Sequence, residues 1–270
     1  MAQEPPHLTF VGVGPRGADG VTPAAVREVV LAGKVFAETY TAIFPEDALA
    51  FFSKTRKDGI PKLGRAEVEE GTAILEAAAA PGGAVLLVPG DPMAATTHVS
   101  LRIAAEQRGI PTRLIFAPSI LHTAFSEAGL QHYNAGRTVT VPYPDKGFAP
   151  TSHLEKLEAN QKAGVHTLAL LDVRAAEGRY MTANEGFAAL LEAARRLGRP
   201  VVSQDSLAVV IARAGEVDCL RRAGAVRRLQ KMDFGRPMHA LIFPGALHFE
   251  EREALKVLCG AKEKEMPPER

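Results

Sequence analysis

The chain has only two cysteines, Cys219 and Cys259, far apart and in no CxxC pair, which removes a disulfide framework and a cysteine zinc site from consideration. Its net charge is only +1, from 32 basic and 31 acidic residues, so it lacks the clustered basic excess that a broad nucleic-acid footprint needs. No apolar run approaches the length of a membrane span, which sets membrane insertion aside. The first residues, MAQEPPH, carry neither the basic nor the apolar region of a secretory signal, so a cytoplasmic protein is expected. Internal repeats and long linkers are missing as well. What remains is 46% hydrophobic and 23% charged over 270 residues, an ordinary globular composition in a chain long enough for two cored domains.

Residues 84–98, AVLLVPGDPMAATTH, hold the most informative pattern. A continuous apolar run at 84–88 has the character of a strand covered on both faces, and Pro89 and Pro92 forbid continuing its ladder. In an open parallel sheet ligands lie beyond the carboxyl ends of the strands, so Asp91, held between two prolines there, is placed to meet one. The same residue also suits a tight turn that it caps through its own side chain. The spacing predicts a second such end at residues 112–116, followed by Ala117-Pro118-Ser119, with Ser119 able to cap a helix over 120–127.

The other elements follow from periodicity and caps. Residues 8–13 read as the first strand, and Gly12, Gly14 and Gly17 fit GxGxxG, with Glu38 about twenty residues on, where a dinucleotide fold keeps its ribose-binding acid. Ala18-Asp19-Gly20 nevertheless separates Gly17 from the helix signal Thr22-Pro23, too long a turn for that fingerprint. A helix closed by Gly33 and a strand over 34–38 complete a βαβ unit. Further helices are expected near 45–53 and over 66–80, 97–108, 152–163, 183–197 and 250–258. Strands are expected over 138–141, 167–173, 207–212 and 240–243, and Pro142, Pro144 and Gly147 mark a loop. Arg221, Arg222, Arg227, Arg228 and Lys231 are assigned to a short, partly helical segment. With Arg195, Arg196 and Arg199 they read as solvated faces rather than docking surfaces. The expected division is 1–117 and 118–259, each an α/β domain, with 260–270 a tail without fixed structure.

Several phrases, in order, carry a resemblance: FAETYT at 36–41, PGDPMAATTH at 89–98, APSI at 117–120, HTLALLDV at 166–173, MTANE at 181–185, ARAG at 212–215 and FPGALHFEE at 243–251. Together they resemble the diphthine synthases, within the tetrapyrrole-methylase class of S-adenosylmethionine enzymes. The resemblance implies a homodimer of two α/β domains with the cofactor in a cleft between them. It also implies a protein acceptor, translation elongation factor 2, whose modified histidine carries an amino-carboxypropyl group that is methylated repeatedly. At matching positions, the contacts it implies to S-adenosylmethionine, and to its product S-adenosylhomocysteine, are Pro15, Asp91, Ala94, Ser119, Ile120, Leu171, Ala214 and His239. The loop Gly12-Val13-Gly14-Pro15-Arg16-Gly17 departs from the usual GLGL, and Pro15 can offer only a carbonyl. No catalytic residue and no metal ligand is named, because transfer from a sulfonium needs alignment rather than a covalent nucleophile. Read without the family, His239 before a buried strand is a satisfied structural residue. The alternatives are a class member acting on a tetrapyrrole precursor or ribosomal RNA, a nicotinamide-dependent oxidoreductase, and a binding module without turnover.

Overall fold

Alternate side chains on each strand of the N-terminal half are buried on opposite sides, and this builds a layer of helices on each face of a parallel sheet. In the computed structural model, which describes residues 4–56, 58–145 and 150–268, the strands are β1 Leu8–Gly12, β2 Lys34–Glu38, β3 Lys62–Leu63, β4 Ala84–Val88 and β5 Thr112–Ile115. They pair in the order β3-β2-β4-β1-β5, and every pairing is parallel. Leu8, Phe10, Phe36, Leu86 and Val88 join one core cluster, whereas Val11, Val35, Val85 and Leu87 join another. The continuous apolar run of β4 is thus two interleaved faces, each packed.

Helix α1 (Pro23–Leu31) starts as its sequence predicts: Thr22 accepts a hydrogen bond from Ala25 N at 3.1 Å, with proline at the first helical position. Helix α2 is Glu46–Ser53. The single helix expected over 66–80 is instead two, α3 (Arg65–Glu70) and α4 (Thr72–Ala78), because Gly71 between them adopts φ 69°. A β-carbon there would lie 2.6 Å from Leu101 Cδ1, so the break also lets α5 (His98–Gln107) approach. Helix α6 is Ile120–Ala128.

The second sheet runs β11-β10-β12-β7-β6, with β6 Val139–Val141, β7 Thr167–Leu171, β10 Leu207–Ala212, β11 Leu220–Ala225 and β12 His239–Phe243. Only β6 and β7 are parallel; the other three pairings are antiparallel. Helix α7 (Ser152–Ala163) and α8 (Ala183–Leu197) cover the face made by Val141, Ala169, Val210 and Leu241. A capping box, Thr182 with Glu185, opens α8, and Gly198 at φ 66° closes it. A short ribbon, β8 (Val173–Arg174) with β9 (Arg179–Tyr180), lies between β7 and α8 in the chain. Gly147 of the expected loop lies outside the described residues.

Two expectations need correction here. Residues 220–225 form β11, antiparallel to β10, followed by the short helix α9 (Val226–Leu229), so the segment expected to be partly helical is helical at Arg227 and Arg228 but an edge strand at Arg221 and Arg222. The tail after α10 (Phe249–Cys259) is ordered through residue 268. Glu265 pairs with Arg228 at 2.8 Å, Glu263 pairs with Arg252, and Met266 is buried. Contacts also divide the chain into Met1–Ile120 with Arg174–Arg179, and Leu121–Val173 with Tyr180–Arg270. That division falls a few residues past the expected 117/118 boundary and assigns most of the ribbon to the first unit. Among the described residues no helix is long and apolar enough to cross a membrane.

Candidate functional site

The chain leaves β1 toward α1 on one face of the first sheet and leaves β4 toward α5 on the other, since Val29 of α1 and Leu101 of α5 belong to opposite core clusters. Adjacent parallel strands whose connections diverge leave a crevice beyond their carboxyl ends, where open α/β sheets bind ligands. Here the two loops touch. Gly14 N donates to Gly90 O at 3.2 Å and Gly90 N to Gly14 O at 3.4 Å. A β-carbon at Gly12 would come within 2.6 Å of Gly90 O and 2.9 Å of Pro92 Cδ, so only glycine allows this approach. Pro118, after β5, lies on the same side, its Cδ 3.5 Å from where a β-carbon of Gly14 would be.

These contacts bring the loops bearing Pro15, Asp91, Ala94, Ser119 and Ile120 to one end of the first sheet, and all five residues are half-buried. Asp91 Oδ1 accepts from Met93 N at 2.9 Å, the capping turn; no protein group among the described residues bonds Oδ2. Ala94 N reaches Asp91 O at 3.4 Å. Ala95, next in the chain, has φ 55° without being glycine. Such strain persists only where surrounding structure enforces it. Glu38, the residue a dinucleotide fold would aim at a ribose, is fully buried; its carboxylate accepts from Tyr40 N at 2.9 Å, Thr41 N at 3.1 Å and the Thr41 hydroxyl. The short helix Gly17–Gly20 separates Gly17 from α1. That acid is a structural cap.

In the second unit Leu171 ends β7, Ala214 follows β10, and His239 begins β12 opposite Ala212. All three lie at one end of the second sheet. His239 Nδ1 accepts from Ala183 N at 3.1 Å, so Nε2 carries the proton and donates to Arg236 O at 3.0 Å. Burial, with the Arg213 guanidinium beside it, holds its pKa below the ordinary imidazole value. Both ring nitrogens are committed, so any further contact from His239 falls to its backbone or its ring faces.

Arg213 is the residue sequence reasoning left without a role, although it sits inside the ARAG phrase. It is 7% exposed and has φ 54°; with Ala95 it completes the non-glycine residues of positive φ among the described residues. Its Nη1 donates to Phe234 O and Arg236 O, both at 2.8 Å, and its Nη2 to Asp218 O at 3.1 Å. Nε lies 2.8 Å from Asp218 Oδ2, close enough to pair but off the N–H direction. Glu127 on α6 adds a second anchor, accepting from Gly215 N at 3.3 Å and from Arg221 Nη1 at 2.6 Å. The loops flanking Ala214 and His239 are thereby tied together. No single residue type predicts this, because the guanidinium's partners are carbonyls.

The two strained backbone positions each adjoin an expected cofactor contact, Ala94 and Ala214. An open carboxylate oxygen on Asp91, together with exposed loop backbone, suits a cationic ligand bearing hydroxyl and amino donors. Among the described residues no group of His, Cys, Asp or Glu is arranged for a metal.

A family described as Tetrapyrrole (Corrin/Porphyrin) Methylases matches residues 7–226. Diphthine synthase of Methanothermobacter thermautotrophicus is 41% identical over 254 residues, spanning 94% of this chain and 96% of that protein. Its counterpart in Halobacterium salinarum is 40% identical over 262 residues, spanning 94% and 98%. A crystal structure of diphthine synthase superposes with a TM-score of 0.84 at 30% identity, over 95% of this chain and 97% of the other. With matches of this identity along nearly the whole chain, and a methylase fold beneath them, the protein is a methyltransferase of the tetrapyrrole methylase family and belongs within it to the diphthine synthases.

Proposed function

We propose that this methyltransferase uses S-adenosylmethionine to methylate, repeatedly, the amino-carboxypropyl group on the modified histidine of translation elongation factor 2, the step that makes diphthine. The observation that carries the reading is the crevice beyond β1 and β4, where Gly12, Gly14 and Gly90 let two loops meet beside the open oxygen of Asp91. When bound, S-adenosylmethionine would supply a methyl group on a sulfonium, a good leaving group, to an acceptor nitrogen that has already given up its proton to solvent. Asp91 holds negative charge and a free acceptor for the cofactor's donors. Backbone groups at Ala94, Ser119, Ile120 and Ala214 read its polar edges, Pro15 offers a carbonyl, and Leu171 and the His239 ring give apolar surface. What these residues contribute is alignment and a field prepared in advance.

The proposal includes a homodimer working in the cytoplasm. Static light scattering at micromolar concentration should give twice the chain mass, and a monomer would overturn that part. For the reaction, elongation factor 2 bearing the amino-carboxypropyl histidine should gain whole methyl increments by mass spectrometry when incubated with the protein and S-adenosylmethionine. Methylation of a tetrapyrrole precursor or ribosomal RNA instead, with elongation factor 2 unchanged, overturns the assignment.

A further inference from the structure

The ATTH phrase ends in His98, which is 1% exposed and is the first residue of α5. That helix opens without the usual cap, because Thr97 at its N-cap position makes no side-chain hydrogen bond and has φ −96° and ψ 7°. The imidazole joins loop to helix instead: its Nδ1 lies 2.9 Å from Pro92 O, six residues back. A carbonyl only accepts, so Nδ1 carries the proton and donates. Nε2 is then a lone pair, and among the described residues nothing donates to it. Were only a ring wanted here, an apolar one would spare that buried, unpaired acceptor.

The ring is held in turn. Phe10 of β1 stacks on it at 6.3 Å between centroids, and Tyr40, just beyond β2, meets it edge-on at 6.0 Å. These contacts fix the imidazole against the sheet and so fix where its proton points. Pro92 is gripped from another side too, since it is buried and a β-carbon at Gly12 would come within 2.9 Å of its Cδ. Asp91 Oδ1 accepts from Met93 N at 2.9 Å, which stitches the entry of the turn. His98 stitches its exit, and Ala95 is left between them at φ 55°. A non-glycine residue keeps such a conformation only where its surroundings enforce it.

We propose that His98 is a positioning residue for methyl transfer: through its Nδ1–H bond to Pro92 O it holds Asp91 and Ala94 where the cofactor meets them. This rests on the cofactor reading above and deepens it by naming what keeps the loop in its binding shape. His98 acts through the loop and not by touching cofactor or acceptor.

Two variants separate the bond from the ring. His98→Phe keeps a ring between Phe10 and Tyr40 and deletes the donor, whereas His98→Asn keeps a donor near the Nδ1 position and deletes the ring. Positioning predicts that His98→Phe, while folded, binds S-adenosylhomocysteine about tenfold more weakly in calorimetry, because a loosened loop loses its alignment. His98→Asn should melt at a lower temperature for want of the ring, yet bind S-adenosylhomocysteine within about threefold of wild type. A role in packing alone predicts the opposite pairing, with His98→Phe unaltered in affinity and His98→Asn weakened. Unaltered affinity in His98→Phe therefore overturns the proposal. If His98→Phe does not fold, His98→Asn decides: affinity within about threefold upholds the bond, and a loss of about tenfold in folded protein overturns it. A wild-type protein that binds no S-adenosylhomocysteine overturns the cofactor reading itself, an outcome distinct from any difference between the variants.

Discussion

Arg213→Met should lower folding stability by about 3 kcal/mol, and Arg213→Lys by somewhat less, because the guanidinium donates to two loop carbonyls, Phe234 O and Asp218 O, that accept from no other group among the described residues. Phe234 O and Asp218 O would be left bare, while Arg236 O keeps His239. Asp218 is 56% exposed, so its own charge returns to water at little cost. An ammonium cannot serve donors in the planar fork that reaches Phe234, Arg236 and Asp218 together, which is why lysine is not a conservative change here. The loss should extend beyond stability. With the 213–218 and 234–238 loops untied, Arg213→Lys should weaken S-adenosylhomocysteine binding about tenfold even at temperatures where the variant is fully folded. Urea denaturation and calorimetry check the two parts. A stability change below about 1 kcal/mol, the size of a single ordinary hydrogen bond, would show that the carbonyls find other partners.

How much of this could be read from residues alone depends on where the determining interactions lie. Strand β4 and helix α8 were legible because their signals are local: an unbroken apolar run stopped by proline, and a 3.6-residue stripe closed by a glycine. Helices α3 and α4 hid as one because Gly71 breaks them for the sake of Leu101, thirty residues away. Strand β11 hid because LRRAGA lacks a strand's apolar alternation; edge pairing to β10 settles it, and the first three of its residues stay half-exposed. The tail is held by Arg228 and Arg252, whose carboxylate partners are distant in sequence. The site divides the same way. Asp91 announced itself through its two prolines and its place after a buried strand. Arg213 did not, because a buried arginine is recognisable only once the carbonyls around it have been brought there by the fold. The glycine fingerprint could be set aside from the sequence, because the turn before Thr22-Pro23 is too long, and only the fold adds that Glu38 turns inward to cap residues 40 and 41.

Asp91→Asn should weaken S-adenosylhomocysteine binding by about 1–3 kcal/mol while leaving the stability of the unliganded protein nearly unchanged. The structure gives the two carboxylate oxygens separate work. Oδ1 accepts from Met93 N and closes the turn after Pro89-Gly90. Asparagine, which caps about as well, can keep that bond. Oδ2 carries no bond to any described residue, and with it goes the negative charge that favours a cationic cofactor and its hydroxyl and amino donors. Asp91→Ala removes both and should lose about 1 kcal/mol of folding stability in addition to the affinity. The pair therefore separates capping from binding in a way neither variant does alone. If Asp91 only shaped the turn, the asparagine variant would be silent in both measurements and the alanine variant would change melting temperature alone. Unaltered affinity for S-adenosylhomocysteine in Asp91→Ala would mean that the crevice beyond β1 and β4 binds its ligand without the carboxylate, and the role assigned to Asp91 would fall.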